Sequence, residues 1–145
     1  MLASTLRAGR RALNLYLDAS ALVKRYVAEP ESKAIRDAMD AADGWFMCRA
    51  GYLETVRAVG LAAGKTAAKT VGDEWPMFGV IEIDQRLVED AAALAIDHAL
   101  RSLDALHLAA ALVLPHEDLV FATWDRRLHA AAGRAGLRLI PETLT

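Results

Sequence analysis

The sequence predicts an α/β protein, a three-layer α/β/α sandwich with a central, mainly parallel sheet. Short apolar runs alternate with segments of helical periodicity along the 145 residues, and this alternation is typical of parallel strands joined by right-handed helical crossovers. The first and fourth apolar runs lack a polar face, as expected of strands that are covered on both sides. We expect a basic N-terminal arm over residues 1–12 and a single domain over residues 13–145.

The first half of the expected domain holds two strands and their helices. The apolar run 13–17 predicts the first strand, and Ser20 is the expected N-cap of the helix that follows it. A second helix is predicted over 31–42, where apolar residues recur at helical spacing. The run GWFMC predicts the second strand, and period 3.6 then returns until Gly64, a natural helix stop.

The second half is less regular. Residues 65–78 indicate a helix that Gly72 interrupts and Pro76 limits. The alternating pattern of VIEID predicts the third strand. The remaining predicted elements are two alanine-rich helices over about 85–100 and 102–114, the strand LVFAT, a helix closed by Gly136 and the strand LRLI.

Composition and charge exclude several classes of protein. The 17 basic and 19 acidic side chains give a net charge of −2, so any nucleic-acid contact must come from a local patch. No apolar run approaches the roughly 18 residues of a membrane span, and we expect no membrane contact. Cys48 is the only cysteine, which excludes a disulfide framework and zinc–thiolate chemistry and fits a cytoplasmic location.

Four acids stand where a sheet of this kind presents its functional cleft, beyond the carboxyl ends of the strands. They are Asp18, Glu54, Asp104 and Asp125, each after a strand or on the helix beside it. Like charges ~4 Å apart repel by about 1 kcal/mol in water and by about 4 kcal/mol at an effective dielectric constant of 20, so an acidic cluster needs a cation. Oxygen-only ligands favour Mg²⁺ or Mn²⁺, which indicates phosphodiester hydrolysis.

Three of the four acids also have a purely structural interpretation. Asp18 can cap the first helix, Glu54 can pair with Arg57 on a helix surface, and Asp104 can interact favourably with the dipole of its helix. His107 follows Asp104 at a spacing that could hold a metal. A core histidine with both ring nitrogens hydrogen-bonded is the favoured interpretation of His107.

Four segments taken in order resemble the acidic motifs of PIN-domain proteins, specifically the VapC toxins of toxin–antitoxin pairs. The segments are LYLDASALVKRYVAEPES, GYLETVRAV, LRSLDALHLAAAL and VFATWDRRLHAAAGRAGL, and the resemblance covers residues 13–141. It places Thr123 as a small hydroxyl residue at the edge of the site, and Ser20 can cap its helix while hydrogen-bonding Asp18. The metal-binding acids that the resemblance implies are Asp18, Glu54, Asp104 and Asp125.

The resemblance implies a Mg²⁺- or Mn²⁺-dependent endoribonuclease that cuts RNA and is silenced by a cognate VapB-like antitoxin. In the expected mechanism Asp18, Asp104 and Asp125 hold the metal. Glu54 positions or binds a second ion and helps to deprotonate the attacking water. We also expect a homodimer and a toxin–antitoxin hetero-oligomer, with the antitoxin or a second copy on the apolar surface of the helices over 31–78.

Alternatives stand beside this interpretation. A flavodoxin-like phospho-acceptor domain also places acids at strand ends, but it needs a second acid beside Asp18, where Leu17 stands, and a lysine after the last strand. A non-catalytic PIN-like binding module and a PIN nuclease of RNA maturation or quality control would use the same fold. Trp124, next to Asp125, could stack on a base or anchor the core.

Overall fold

A five-stranded parallel sheet forms the centre of the structure, a computed structural model that describes residues 13–145. Its strands are β1 (Asn14–Leu17), β2 (Gly44–Cys48), β3 (Phe78–Ile81), β4 (Leu119–Ala122) and β5 (Arg138–Ile140). Their order in the sheet is β3-β2-β1-β4-β5, and every neighbouring pair is parallel. The predicted α/β class is confirmed, with a sheet that is wholly rather than mainly parallel. The predicted arm over 1–12 lies outside the described residues.

Helices cover both faces of this sheet. They are α1 (Ala19–Tyr26), α2 (Ser32–Ala41), α3 (Arg49–Ala63), α4 (Lys65–Glu74), α5 (Gln85–His98), α6 (Ser102–Leu112) and α7 (Arg126–Arg134), with a 3₁₀ turn over Trp75–Met77. Gly64 ends α3 at a φ of 93°, which confirms the predicted stop, because glycine adopts positive φ without a steric cost. Within residues 13–145 no helix is long and apolar enough to cross a membrane.

Two elements differ from their predictions. Helix α4 continues through Gly72 without a break, because one glycine costs a helix only about 1 kcal/mol and burial of the neighbouring Val71 outweighs that cost. Strand β3 begins at Phe78, earlier than the predicted strand VIEID. It ends at Ile81 because Ile81 pairs with Cys48, the last residue of β2, so the next residues of the chain have no strand beside them.

The strands bury side chains on both faces of the sheet, in two apolar clusters. Because successive strand residues point to opposite faces, Leu15 and Leu17 join one cluster with residues of α1 and α2, while Tyr16 joins the other with residues of α5, α6 and α7. The Tyr16 ring stacks on Phe121 with 5.3 Å between the ring centroids. Each such side chain contributes about 1.5–3 kcal/mol on burial, which fixes both helical layers to the sheet.

The order of the strands creates a crevice between β1 and β4. From β1 the chain adds β2 and β3 on one side and β4 and β5 on the other, so the strand order reverses at this point. In open α/β sheets such a switch point binds ligands beyond the carboxyl ends of the strands. Leu17 pairs in register with Ala122, and the Asp18 N–H donates to the Ala122 carbonyl across 3.2 Å. The residues after these two strands therefore meet.

Candidate active site

Asp18 is buried at the end of β1 and caps helix α1. Its Oδ1 accepts hydrogen bonds from the Ala21 N–H at 2.9 Å and from the Ser20 hydroxyl at 2.7 Å. Its Oδ2 accepts from the Thr123 hydroxyl at 2.5 Å. The prediction that Ser20 is the N-cap was wrong, because Asp18 has the extended backbone of a cap and Ser20 already lies in the first turn of α1. The predicted hydrogen bond from Ser20 to Asp18 is confirmed.

Two hydroxyl groups join the end of β1 to the end of β4. The Ser20 Oγ accepts from the Trp124 N–H at 2.9 Å, and the Thr123 Oγ1 accepts from the Asp125 N–H at 3.0 Å. Each hydroxyl also donates to Asp18, so each uses both its donor and an acceptor site. These four hydrogen bonds, together with the backbone bond from Asp18 to Ala122, therefore set the position of Asp18 relative to the β4 end.

Asp125 and Asp104 lie on either side of one arginine. Asp125 caps α7, with its Oδ1 accepting from the Leu128 N–H at 2.9 Å. The Arg101 guanidinium donates to Asp125 Oδ2 at 3.3 Å and lies 3.5 Å from Asp104 Oδ2. Arg101 is the N-cap residue of α6 and Asp104 stands in the first turn of that helix, where the helix dipole also favours a negative charge.

The three aspartates influence one another electrostatically. Burial raises the pKa of Asp104 above its ordinary value, the negative charges of Asp125 and Asp18 raise it further, and Arg101 opposes them. Burial also raises the pKa of Asp18, against the opposing effects of His107 and of its hydrogen-bond donors. A positive charge placed among these carboxylates would therefore stabilise their ionised forms.

Glu54 is held by a histidine rather than by the arginine one turn away. The surface pair with Arg57, the structural alternative for Glu54, does not form; instead, Glu54 Oε1 lies 2.7 Å from Nε2 of His107. The His107 ring is buried, and its Nδ1 lies 2.8 Å from the Tyr16 hydroxyl, which also accepts from the Cys48 N–H at 3.0 Å. The interpretation of His107 as a core histidine with both nitrogens bonded is confirmed.

Nε2 of His107 carries a proton in both charge states of the ring. In the neutral ring the Tyr16 hydroxyl, which accepts from the Cys48 amide, can donate to Nδ1, and the ring proton then lies on Nε2, facing Glu54. In the protonated ring Nδ1 donates to the Tyr16 oxygen instead. Burial alone would lower the pKa of His107, but hydrogen bonds with the Cys48 thiol, whose Sγ lies 3.7 Å from Nδ1, and with Glu54 raise it to about 10. In either protonation state Nε2 donates to the carboxylate.

The donor set of the site fits a hard divalent cation. All four candidate side chains offer carboxylate oxygens, the ligands that Mg²⁺ and Mn²⁺ prefer. Within residues 13–145, no three Asp, Glu, His or Cys side chains are close enough to form a ready ligand group. Arg101 supplies the positive charge between Asp104 and Asp125 instead. The negative charges of Asp125 and Asp18, which raise the pKa of Asp104, are the repulsion that a divalent ion would relieve.

The sequence prediction missed the partners of the acids. Arg101, Tyr16 and Cys48 were not predicted to touch the site, and the contact between His107 and Glu54 was not foreseen. His107 is 91 residues from Tyr16 and 53 residues from Glu54 along the chain. No local signal could therefore have indicated either pair.

Comparison with known proteins defines the class of protein to which this fold and site belong. Residues 15–134 match the family model of the PIN domain. The chain therefore belongs to the PIN-domain family, as the four acidic motifs predicted. The flavodoxin-like alternative is wrong.

Within this family the similarity extends to named ribonucleases. Ribonuclease VapC45 of Mycobacterium tuberculosis (strain CDC 1551 / Oshkosh) is 37% identical over 140 residues, covering 90% of this chain and 96% of that protein. Two solved structures share the fold at low identity. One is Mycobacterium tuberculosis VapC20, a sarcin–ricin-loop-cleaving toxin, with a TM-score of 0.71 and 14% identity over 90% of this chain and 99% of that one. The other is a toxin–antitoxin complex from Klebsiella pneumoniae, with a TM-score of 0.69 and 17% identity over 90% of this chain and 99% of that one.

Proposed function

We propose that this protein is the toxin of a type II toxin–antitoxin pair, an endoribonuclease that hydrolyses RNA phosphodiester bonds. The observation that carries the proposal is the electrostatic effect of Asp18 and Asp125 on Asp104, at the switch point of a PIN-domain sheet. The 37% identity to a named VapC ribonuclease supports the same activity. Its partners would be an RNA substrate and a VapB-like antitoxin.

We assign metal binding to four acids. Asp18, Asp104 and Asp125 would hold Mg²⁺ or Mn²⁺, and Glu54 would hold or position a second ion. When bound, the metal lowers the pKa of an attacking water and stabilises negative charge on the phosphate. Arg101 would have to give up its contacts with Asp104 and Asp125, which is a small cost because its side chain is 79% exposed.

The protein's own groups would prepare the reacting atoms. Thr123 and Ser20 fix both oxygens of Asp18, so that carboxylate does not need to be ordered at the moment of reaction. His107 fixes Oε1 of Glu54, which leaves Oε2 to accept a proton from the attacking water. Glu54 is partly exposed, with 27% of its side chain open to solvent, so water can reach it.

Assembly follows the same proposal. One solved structure that shares the fold is a toxin–antitoxin complex, which supports an antitoxin partner and a hetero-oligomer for this chain. A homodimer of the toxin and a single domain over 13–145 are further parts of the proposal. The lone Cys48 is buried and unpaired, in keeping with action in the reducing cytoplasm.

The test of the activity is cleavage of purified RNA. Wild-type protein should cut RNA with Mg²⁺ or Mn²⁺ and should not do so in excess EDTA. D18N and D104N should be inactive, and asparagine is preferable to alanine because it can still cap α1 from position 18. D97A, at an exposed acid on α5, is the matched control and should cut normally. Full cleavage by D18N or D104N, or in EDTA, would overturn the proposal.

A further inference from the structure

A groove borders the acids between α1, α3 and the segment after β4. It has a volume of about 570 Å³, and its walls include Ser20, Glu54 and Trp124. Ser20 bonds Asp18 and Glu54 is a candidate acid, so the groove is continuous with the candidate active site. An RNA strand with one phosphate at the acids must place a neighbouring nucleotide against a surface that borders them.

Trp124 presents a fixed aromatic surface in this groove. Its backbone N–H donates to the Ser20 hydroxyl at 2.9 Å, and the residues before and after it, Thr123 and Asp125, both belong to the site. The indole is only half-buried. Leu103, which is 44% exposed, is part of the same wall and adds apolar surface. A planar base can pack on such a surface because every base has a π-face.

Lys24 supports the indole from within the protein. Its ammonium lies 5.1 Å from the centre of the Trp124 ring, and it donates to Glu29 at 2.8 Å and to Glu31 at 2.7 Å. The Lys24 side chain is only 9% exposed, so these contacts hold it in place. Its charge is neutralised by the two carboxylates, and it is therefore not the group that would bind a phosphate.

Arg57 supplies the cation that Lys24 does not. It lines the same groove, is exposed and has no ion-pair partner among the described residues. Two other arginines are neutralised by ion pairs: Arg25 by Glu74 and Arg49 by Glu82. Arg57 follows Glu54 by three residues on α3, so both side chains lie on the same helical face.

We propose that this groove binds one nucleotide next to the cleaved phosphodiester, with its base stacked on Trp124 and its phosphate bound by Arg57. The proposal rests on the proposed function and adds to it a nucleotide-binding subsite. A base that stacks on Trp124 without hydrogen bonds to its edge would strengthen RNA binding and fix the position of the strand, with little preference for sequence. Binding of a peptide in the groove is the competing outcome that the experiment must separate.

The test is a scan with abasic RNA. A fluorescent single-stranded RNA of about 12 nucleotides is bound to the cleavage-deficient D104N protein in Mg²⁺, and one base at a time is removed. In the D104N background, loss of one particular base should weaken binding about 5- to 150-fold, the range expected for one stacked base. The D104N/W124L protein should bind the intact RNA more weakly than D104N does, by the same factor, and removal of that base should weaken its binding no further. W124F keeps an aromatic face and should retain most of the affinity.

Arg57 is tested through the salt dependence of the same binding. R57A should weaken binding to all RNA sequences alike and reduce the slope of log K against log salt by about 0.7, the value for one phosphate contact on a single strand. R86A removes the same charge from α5, where Arg86 pairs with Asp90, and should leave the slope unchanged. Equal slopes for R57A and wild type would overturn the assignment of Arg57.

The two proposals fail in different ways. If the protein with Asp104 intact does not cut RNA, the proposed function fails. If it cuts RNA but removal of each base weakens binding equally with and without W124L, the subsite alone is refuted. If W124L spares RNA binding and instead weakens capture of the antitoxin encoded with the toxin, the groove is a peptide site and the subsite is also refuted.

Discussion

Nε2 of His107 lies 2.7 Å from Oε1 of Glu54, so a buried imidazole on α6 holds a carboxylate on α3. The other ring nitrogen is bonded to Tyr16 in β1, which is itself bonded to the Cys48 amide at the end of β2. The orientation of Glu54 is thus set by two strands and a second helix, although Glu54 itself is partly exposed.

We expect loss of the His107 donor to impair turnover more than RNA binding. H107L leaves Glu54 free to rotate and leaves the buried Tyr16 hydroxyl without its His107 partner, at a cost of about 1–3 kcal/mol in the free energy of unfolding. Measured kcat should fall while KM changes little, because Glu54 is assigned to proton transfer. H107Q, whose amide can still donate to Glu54, is the control and should recover part of kcat. An unchanged kcat for H107L would contradict the positioning role.

Removal of the Thr123 hydroxyl should affect both stability and activity. T123V loses the hydrogen bond to Asp18 and leaves the Asp125 N–H without its acceptor. Thr123 is fully buried, so we expect a loss of about 1–3 kcal/mol in a urea titration, together with weaker cleavage. T123S keeps the hydroxyl and should behave like wild type apart from a smaller packing loss. Equal stability of T123V and wild type would refute this expectation.

Removal of the charge at Asp104 should raise the melting temperature without metal and lower it with metal, relative to wild type. In EDTA, D104N removes a carboxylate that burial and the charges of Asp125 and Asp18 disfavour, so the variant should melt at a higher temperature than wild type. In Mg²⁺ the order should reverse, because binding at about 100 times Kd stabilises the loaded protein by about 2.7 kcal/mol. Thermal unfolding in the two buffers is the measurement. The same order in both would argue against a metal at this site.

Loss of Arg101 should strengthen metal binding. R101A removes the cation that occupies the space between Asp104 and Asp125, and a metal then has no guanidinium to displace. Because Arg101 is 79% exposed, the gain should be modest, about 1 kcal/mol or less, which is up to about fivefold in Kd. Calorimetric titration with Mn²⁺ gives the comparison. Weaker Mn²⁺ binding by R101A would show that the arginine supports the site.

Sequence reasoning placed Asp18 and Asp125 at the same edge of the sheet because their positions follow from secondary structure. Asp18 and Asp125 come after strands that turned out to be neighbours, and parallel strands end at the same edge of a sheet. The assignment of the cap to Ser20 failed because two candidate caps lay two residues apart, and only backbone geometry selects Asp18. The third strand was misplaced because its end depends on where β2 ends, a fact of pairing rather than of local pattern.

The contacts that orient the acids could not have been predicted in the same way. His107 and Glu54 stand on helices that are distant in sequence, and their meeting depends on how α3 and α6 pack on the sheet. Arg101 joins Asp104 and Asp125 only after β4 is placed beside β1. A pattern of four acids predicts the kind of chemistry, whereas tertiary packing decides which atoms are free to perform it.

Asp18 and Asp125 each cap a helix and also belong to the candidate site, so the first turns of α1 and α7 should respond to an ion that binds there. In each residue Oδ1 accepts a backbone N–H, from Ala21 in α1 and from Leu128 in α7, while Oδ2 bonds a neighbouring side chain. Any ion that binds these carboxylates must change the strength of the two amide hydrogen bonds. Hydrogen exchange at the Ala21 and Leu128 amides should therefore change on addition of Mg²⁺, and it would record occupancy of the site without any RNA being cut.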